Sequence, residues 1–183
     1  MREKIIQINM KFSKEEKKFW QTNYHFDKPS QIYKDWHQIW SVDGDHDDDF
    51  FYFFSLRVKS ITEVHLKDTL ITDKAVEYML EFKELKELFL RKHDNITKES
   101  IPFFNQMKSL ESLNITRTKI TLTDLCELLN NQSLKEVFLD SEENEENIEE
   151  KGFILKERMP NCNIYLNCSD AIDAFGNKEK PIF

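Results

Sequence analysis

The chain has 183 residues, 39% hydrophobic and 33% charged, which is the size and composition of one globular domain with a single core. Only three glycines are present, Gly44, Gly152 and Gly176, and their separation excludes the glycine-rich loops that bind nucleotide phosphates. The 34 acidic and 26 basic side chains give a net charge of −8, which argues against binding to nucleic acid and favours a partner with a basic surface.

The first 34 residues are predicted to contain one strand and one helix. We predict the strand over Ile5–Phe12 and the helix from Ser13 to Tyr24. Ser13 and Glu16 have the spacing of a capping box, in which each side chain accepts a hydrogen bond from the other residue's backbone N–H. We expect both elements to cap the amino-terminal end of a repetitive structure.

Residues 35–60 are predicted as an irregular first repeat. Trp36 lies 25 residues before Ile61, where the first regular repeat begins. The predicted strand contains Trp36, Ile39 and Trp40, and the helix behind it contains Phe50, Phe51 and Phe54. The acidic run 43–49 lacks the residue order of an EF-hand. We therefore expect a solvated loop, whose last aspartates favour the N-terminus of the next helix, rather than a calcium site.

Four segments of the chain share the pattern L-x-x-L-x-L, in which isoleucine or valine can replace leucine. They begin at Ile61, Leu85, Leu110 and Leu134, so successive starts lie 24, 25 and 24 residues apart. Alternating aliphatic residues predict short strands with one face in a core. One such unit cannot bury its apolar face alone, so we expect the units to stack with parallel strands.

A helix is predicted after each of the first three segments. Apolar residues at helical spacings of three and four follow them: Ala75, Val76, Met79 and Leu80; Ile101, Phe104 and Met107; Leu125, Leu128 and Leu129. Asp73, Thr97 and either Thr121 or Thr123 stand where an N-cap is expected. Two helices per unit would need about 33 residues or more, so each unit is predicted as strand, turn and helix.

This pattern resembles leucine-rich repeat proteins of the long-repeat type. The segments Thr69–Asp73 and Thr118–Thr121 carry the resemblance best, and it covers residues 61–168. It implies an α/β solenoid with a curved parallel sheet on the concave face, helices on the convex face and an irregular N-terminal cap over residues 1–60. Thr69 and Thr118 replace the asparagine that is usual in the family's turn, which weakens the expected asparagine ladder.

The carboxyl-terminal part departs from the repeat. Residues 140–150 are predicted as an acidic loop that lengthens the fourth repeat, and Met159–Leu166 contains the predicted last strand. Residues 169–183 form a C-terminal tail, which we expect to be frayed after Asp170.

The x positions of L-x-x-L-x-L are predicted to face the concave side of the sheet, because strand side chains alternate. Our hypothesis is that exposed aromatic and arginine side chains there anchor a protein partner and that acidic ones supply charge complementarity. The predicted partner-binding residues are Glu63, His65, Glu87, Phe89, Arg91, Asn114, Glu136, Phe138, Asp140 and Tyr165. The alternative is that the cap or the tail folds over these aromatics.

No catalytic residue, metal site or cofactor is predicted. The five histidines are scattered and form no zinc-protease motif, and the three cysteines, Cys126, Cys162 and Cys168, are expected to act as small hydrophobic residues. His65 beside Glu63 and Glu87 would form an acid–base set if it were buried, but on an open sheet we interpret it as a contact residue.

The sequence favours a cytoplasmic, non-catalytic protein-binding module. It contains no apolar run of about 18 residues and no secretory signal, so we expect no membrane contact. The narrower hypothesis is an immunity or neutralising protein that blocks a basic toxin or enzyme. The alternatives are a substrate-recognition adaptor of a larger complex and a metal-dependent enzyme. We expect no nucleic-acid or small-molecule ligand.

Overall fold

The protein is built on one open sheet of six parallel strands, which follow one another in chain order. A computed structural model describes residues 11–141, 145–168, 170–172 and 177–182. The strands are β1 (Asp35–Val42), β2 (Ser60–Lys67), β3 (Glu87–Arg91), β4 (Ser112–Asn114), β5 (Glu136–Leu139) and β6 (Asn163–Leu166). The predicted α/β class and the parallel sheet are therefore confirmed.

Helices precede the sheet and connect successive strands. They are α1 (Lys14–Tyr24), α2 (Asp48–Ser55), α3 (Asp73–Met79), α4 (Ile101–Phe104), α5 (Leu122–Leu128) and α6 (Ile148–Arg158), with short 3₁₀ turns at Pro29–Gln31 and Lys98–Ser100. None of the helices in the described ranges has both the length and the apolar character needed to cross a membrane.

The aliphatic residues of the repeated pattern form the core. In β2, Ile61, Val64 and Leu66 are buried, whereas the residues between them remain partly accessible. The same inward positions in the following strands join one core cluster with apolar side chains of α2 to α6. Trp36 is the register partner of Ile61, so the 25-residue step between them in the sequence is also the step between paired residues of β1 and β2.

Residues other than glycine make the turn after most of the strands. Asp43, Asp68, Lys92, Arg117 and Asn167 each have a φ between 51° and 60°. These positions follow β1 to β4 and β6 at intervals close to the repeat length, and the backbone N–H of Asp68 donates to the carbonyl of the next repeat's Arg91 (3.1 Å). A left-handed conformation is costly for residues with a Cβ, so it persists because neighbouring repeats hold it.

A second set of contacts links the helix starts. Thr72 is the N-cap of α3, and both its N–H and its hydroxyl donate to Asp48 in the preceding repeat (2.8 and 2.7 Å). Thr97 makes the same pair of bonds to Asp73 (2.8 and 2.7 Å). Asp73 is thus the first residue of α3 and not its N-cap as predicted, whereas Thr97 caps the 3₁₀ turn that leads into α4, and Thr121, one of the two predicted alternatives, is the N-cap of α5.

A buried histidine takes part in the turns. The imidazole of His93 receives a hydrogen bond at Nε2 from the backbone N–H of Thr69 (3.1 Å), and the Thr69 hydroxyl lies 2.9 Å from the same atom. The His93 backbone N–H in turn donates to the carbonyl of Arg117 (3.0 Å). Burial lowers the pKa of His93, because a charged imidazole would lose its hydration there.

The amino-terminal helix is attached to α2 by aromatic contacts and to the residues just after α2 by an ion pair. The predicted capping box of Ser13 and Glu16 is confirmed, and Glu16 also pairs with Arg57 (2.7 Å). The buried ring of Trp20 packs on Phe54 (5.7 Å between ring centroids). The predicted helix from Ser13 to Tyr24 is therefore confirmed. Most of the predicted strand over Ile5–Phe12 lies outside the described residues, and positions 11 and 12 are not in a strand.

Two predictions for the carboxyl-terminal part are wrong. The acidic segment 140–150 is not wholly a loop, because α6 begins at Ile148 and places acidic residues in its first turn, where they stabilise the helix dipole. The described parts of the tail are paired rather than frayed: the N–H of Ile182 donates to the carbonyl of Ile164 in β6 (2.8 Å), and Ile172 forms an antiparallel bridge with Lys178. The tail thereby pairs with the last strand of the sheet.

Replacement of Asp73 by alanine is expected to destabilise the protein by about 2 kcal/mol, because it leaves the N–H and hydroxyl of Thr97 without their charged acceptor. Urea unfolding measures the change. Asp94→Ala, at an exposed turn position three residues after β3 ends, is the control and should alter stability by less than about 0.5 kcal/mol. Equal effects of both substitutions would contradict a specific role for the Asp73–Thr97 contact.

Stability is expected to fall as the pH drops below the ordinary histidine value of about 6.5. The unfolded chain then binds a proton at position 93 that the folded chain, with its lowered pKa, does not accept. The free energy of unfolding should change by at most about 1.4 kcal/mol per pH unit because of this group. Urea unfolding from about pH 7.5 to 5 measures it. His93→Gln should reduce the slope, whereas replacement of the exposed His25 by asparagine should leave it unchanged. An unreduced slope in His93→Gln would refute this assignment.

Candidate functional site

The side chains that point away from the core form what we call the open face of the sheet. Strand pairing aligns them in two rows that cross all six strands. The first row is Gln38, Glu63, Glu87, Ser112, Glu136 and Asn163; the second row is Trp40, His65, Phe89, Asn114, Phe138 and Tyr165. Each row brings together residues that lie about 25 positions apart in the sequence.

The second row divides the open face into an accessible half and a closed half. Trp40 is 72% exposed, and His65 and Phe89 are half-buried. Phe138 and Tyr165, by contrast, are only 2% and 7% exposed. The prediction that these two rings are exposed is therefore wrong, and Asn114, at 0%, is also inaccessible.

Side chains on adjacent strands lie against one another in the closed half. The rings of Phe138 and Tyr165 stack with their centroids 4.8 Å apart and their planes 12° from parallel. Asn114 flanks Phe138 on the other side, and its Oδ1 accepts hydrogen bonds from the N–H and hydroxyl of Thr116 (3.1 and 2.8 Å). The tail pairs with Ile164, the residue before Tyr165. Burial also raises the pKa of the Tyr165 hydroxyl.

The accessible half lies on β1, β2 and β3. The imidazole of His65 stacks on Phe89 with ring centroids 4.2 Å apart and planes only 6° from parallel. Trp40 is the register partner of His65 and presents its indole to solvent. Tyr33 and Val42, before β1 and at its end, are also exposed. Aromatic side chains accessible on a rigid sheet are the kind that protein interfaces use as anchors.

We call Trp40, His65 and Phe89 the aromatic strip, and charged groups lie on both sides of it. Glu63 and Glu87 are register partners in the first row, and Lys67 and Arg91 are register partners at the ends of β2 and β3. The accessible half therefore carries two acidic and two basic side chains. Its charge is balanced, so the acidic surplus that the net charge of −8 represents lies elsewhere on the chain.

Glu136 and Asp140, the other two predicted acidic contacts, are engaged by the protein's own groups. A carboxylate oxygen of Glu136 accepts a hydrogen bond from the Ser112 hydroxyl (2.8 Å), and Asp140 accepts one from the backbone N–H of Arg117 (2.8 Å). Both are only partly accessible. Of the ten predicted partner-binding residues, the structure brings five together on the accessible half: Glu63, His65, Glu87, Phe89 and Arg91.

Two of the remaining sequence features have structural roles. Asp47 is the N-cap of α2, where its carboxylate accepts a hydrogen bond from Phe50 N–H (2.8 Å), so the last aspartates of the 43–49 run do stabilise a helix start. Of the cysteines, Cys126 and Cys162 are buried and Cys168 is half-buried. Burial raises the pKa of all three thiols, that of Cys162 to about 12, which disfavours the reactive thiolate.

Two residues of the accessible half lie outside the predicted partner-binding set. Trp40 is one of them, although a step of 25 residues back from His65 leads to it. His37 is the other, and its Nε2 lies 3.6 Å from a carboxylate oxygen of Glu63. No family model matches the chain, and a search of curated proteins finds no match either.

The two halves of the open face should respond differently to truncation of a phenylalanine. Phe138→Ala is expected to cost about 3–5 kcal/mol of stability, as for a core ring, because the side chain is inaccessible. Phe89→Ala, in the accessible half, should cost about 1 kcal/mol. Urea unfolding of both variants provides the comparison. A loss at Phe89 as large as that at Phe138 would contradict the division of the face.

Proposed function

We propose that the protein is a leucine-rich-repeat-type, non-catalytic module that binds another protein through the accessible half of its open face. The observation that carries this proposal is the exposure of Trp40, 72%, in the middle of a strand and in register with His65 and Phe89. Tryptophan is prominent among the residues that dominate binding energies. The 24–25-residue period and the parallel strands support the repeat assignment.

The geometry restricts what the partner must offer. The aromatic strip is flanked by Glu63 and Glu87 on one side and by Lys67 and Arg91 on the other. A complementary partner therefore places cationic groups against the glutamates and anionic groups against the basic pair, around an apolar centre. The surplus negative charge of the rest of the chain steers a partner with a basic surface toward the protein at long range.

Within this function we favour a neutralising role against a basic toxin or enzyme. The support is the net charge of −8 on a chain of only 183 residues. A substrate-recognition adaptor would use the same surface but would leave the activity of its partner unchanged. The two roles are therefore separated by an activity assay on the partner and not by the binding surface.

Trp40→Ala is expected to abolish or strongly weaken capture of the main partner from a lysate of the source cell, because the substitution removes the proposed anchor. Loss of such an anchor typically costs about 2 kcal/mol or more, a weakening of at least tenfold. Quantitative pull-down with the full chain, followed by titration of the identified partner, measures the effect. A neutraliser in excess should also inhibit that partner.

Phe153→Ala is the matched control, because Phe153 on α6 is also 72% exposed but lies away from the sheet. Its binding should equal that of the native chain. Loss of the partner in Phe153→Ala with retention in Trp40→Ala would move the interface to the helices and refute the proposal. Thermal unfolding of both variants establishes that each remains folded.

A further inference from the structure

Four side chains with metal-ligating atoms come together on β1, β2 and β3. One ligand atom each from Glu63, His65 and Glu87 lies within 4.8 Å of the other two. The Nε2 atom of His65 is 3.3 Å from Glu87 Oε2. His37 adds a fourth donor, with its Nε2 atom 3.6 Å from Glu63 Oε1.

These separations match the ligand spacing of a small tetrahedral ion. Zinc binds imidazole nitrogen and carboxylate oxygen at about 2.0–2.2 Å, so that neighbouring ligands of a tetrahedron lie about 3.3 Å apart. The two His–Glu pairs, at 3.3 and 3.6 Å, are already close to this value. The two pairs must move closer together to share a single ion. Rotation of the side chains is enough, because the backbones are already adjacent: Glu63 is the register partner of Glu87 and of Gln38, the residue after His37.

Electrostatics also favours a cation at this position. Glu63 and Glu87 are direct neighbours on adjacent strands, and like charges at such positions repel. Among the described residues, the groups that form ion pairs with these two carboxylates are the histidines and no lysine or arginine. A divalent cation would neutralise both carboxylates at once.

The site is both supported and accessible. The imidazole of His65 is held flat against Phe89, which limits the rotation of the ring. Glu63, His65 and Glu87 are half-buried, and His37 is exposed and free to swing toward an ion. Support for ligand side chains on strands is what raises metal affinity above that of a chance cluster.

We propose that Glu63, His65 and Glu87, with His37 as the fourth ligand, bind a zinc-like divalent transition metal ion. Two imidazoles and two carboxylates are the donor set that suits Zn²⁺ and its substitute Co²⁺ more than Mg²⁺ or Ca²⁺, which prefer oxygen ligands alone. The sequence alone predicts His65 beside Glu63 and Glu87 as a contact residue and predicts no metal site. The inference does not rest on the proposed function, since the protein alone binds the ion.

Titration of the metal-free full chain with Zn²⁺, followed by calorimetry, tests the proposal. The expected result is saturable binding of one ion per chain and a rise in the thermal midpoint. His65→Ala and Glu87→Gln should each raise the dissociation constant by roughly tenfold or more. His37→Ala should raise it less, because that side chain is exposed and reaches only one of the other ligands.

Glu136→Gln is the matched control, since Glu136 occupies the same row of the open face outside the cluster. It should bind Zn²⁺ as the native chain does. Cobalt binding provides a second measurement: a four-coordinate site gives strong visible absorption, and coordination by cysteine would add a thiolate-to-cobalt band in the near ultraviolet. Absence of saturable binding by the native chain, equal binding by His65→Ala and Glu136→Gln, or a thiolate band would overturn the proposal.

Discussion

The register between adjacent parallel strands is the constraint on which the remaining structure depends. From β1 to β5, paired residues on neighbouring strands lie 24 or 25 positions apart in the sequence, and from β5 to β6 they lie 27 apart. A residue type repeated at that interval becomes a continuous row in space. The core, the turns, the helix starts and the open face are all rows of this kind, so one displacement of the register would disrupt every one of them.

Polar contacts between repeats fix the register where the apolar core does not. Core packing tolerates exchange among leucine, isoleucine and valine, but the pairs Asp48–Thr72 and Asp73–Thr97 require a particular partner one repeat away. His93 and Thr69 make a similar link at the turns. These contacts also explain how the chain makes left-handed turns without glycine: the turn backbone is bonded to the next repeat, and that bonding compensates for the strain at residues such as Lys92.

The sequence predicts secondary structure well, because it depends on residues within one repeat. It predicts side-chain accessibility and side-chain partners poorly, because they depend on residues in neighbouring repeats. The strands β1 to β6, the helices α1 to α5 and the capping box at Ser13 follow from local periodicity, whereas α6 does not. The accessibility of the second row does not follow from it either, because alternation identifies Phe89 and Phe138 equally as outward. Phe138 is buried among its neighbours on adjacent strands, Asn114 and the stacked ring of Tyr165. Asp73 was misassigned for the same reason: its partner, Thr97, belongs to the next repeat.

The proposed metal site and the proposed interface occupy the same half of the face, and each would alter the other. Without an ion, Glu63 and Glu87 balance the charges of Lys67 and Arg91. With a divalent ion bound, the carboxylates are neutralised and the half carries the positive charge of the basic pair alone. Because the aromatic strip between the charges stays the same, the ion would change which partner charges are favoured without changing the apolar anchor. Partner choice and metal occupancy would then be coupled through His65, which is both a ligand and part of the aromatic strip.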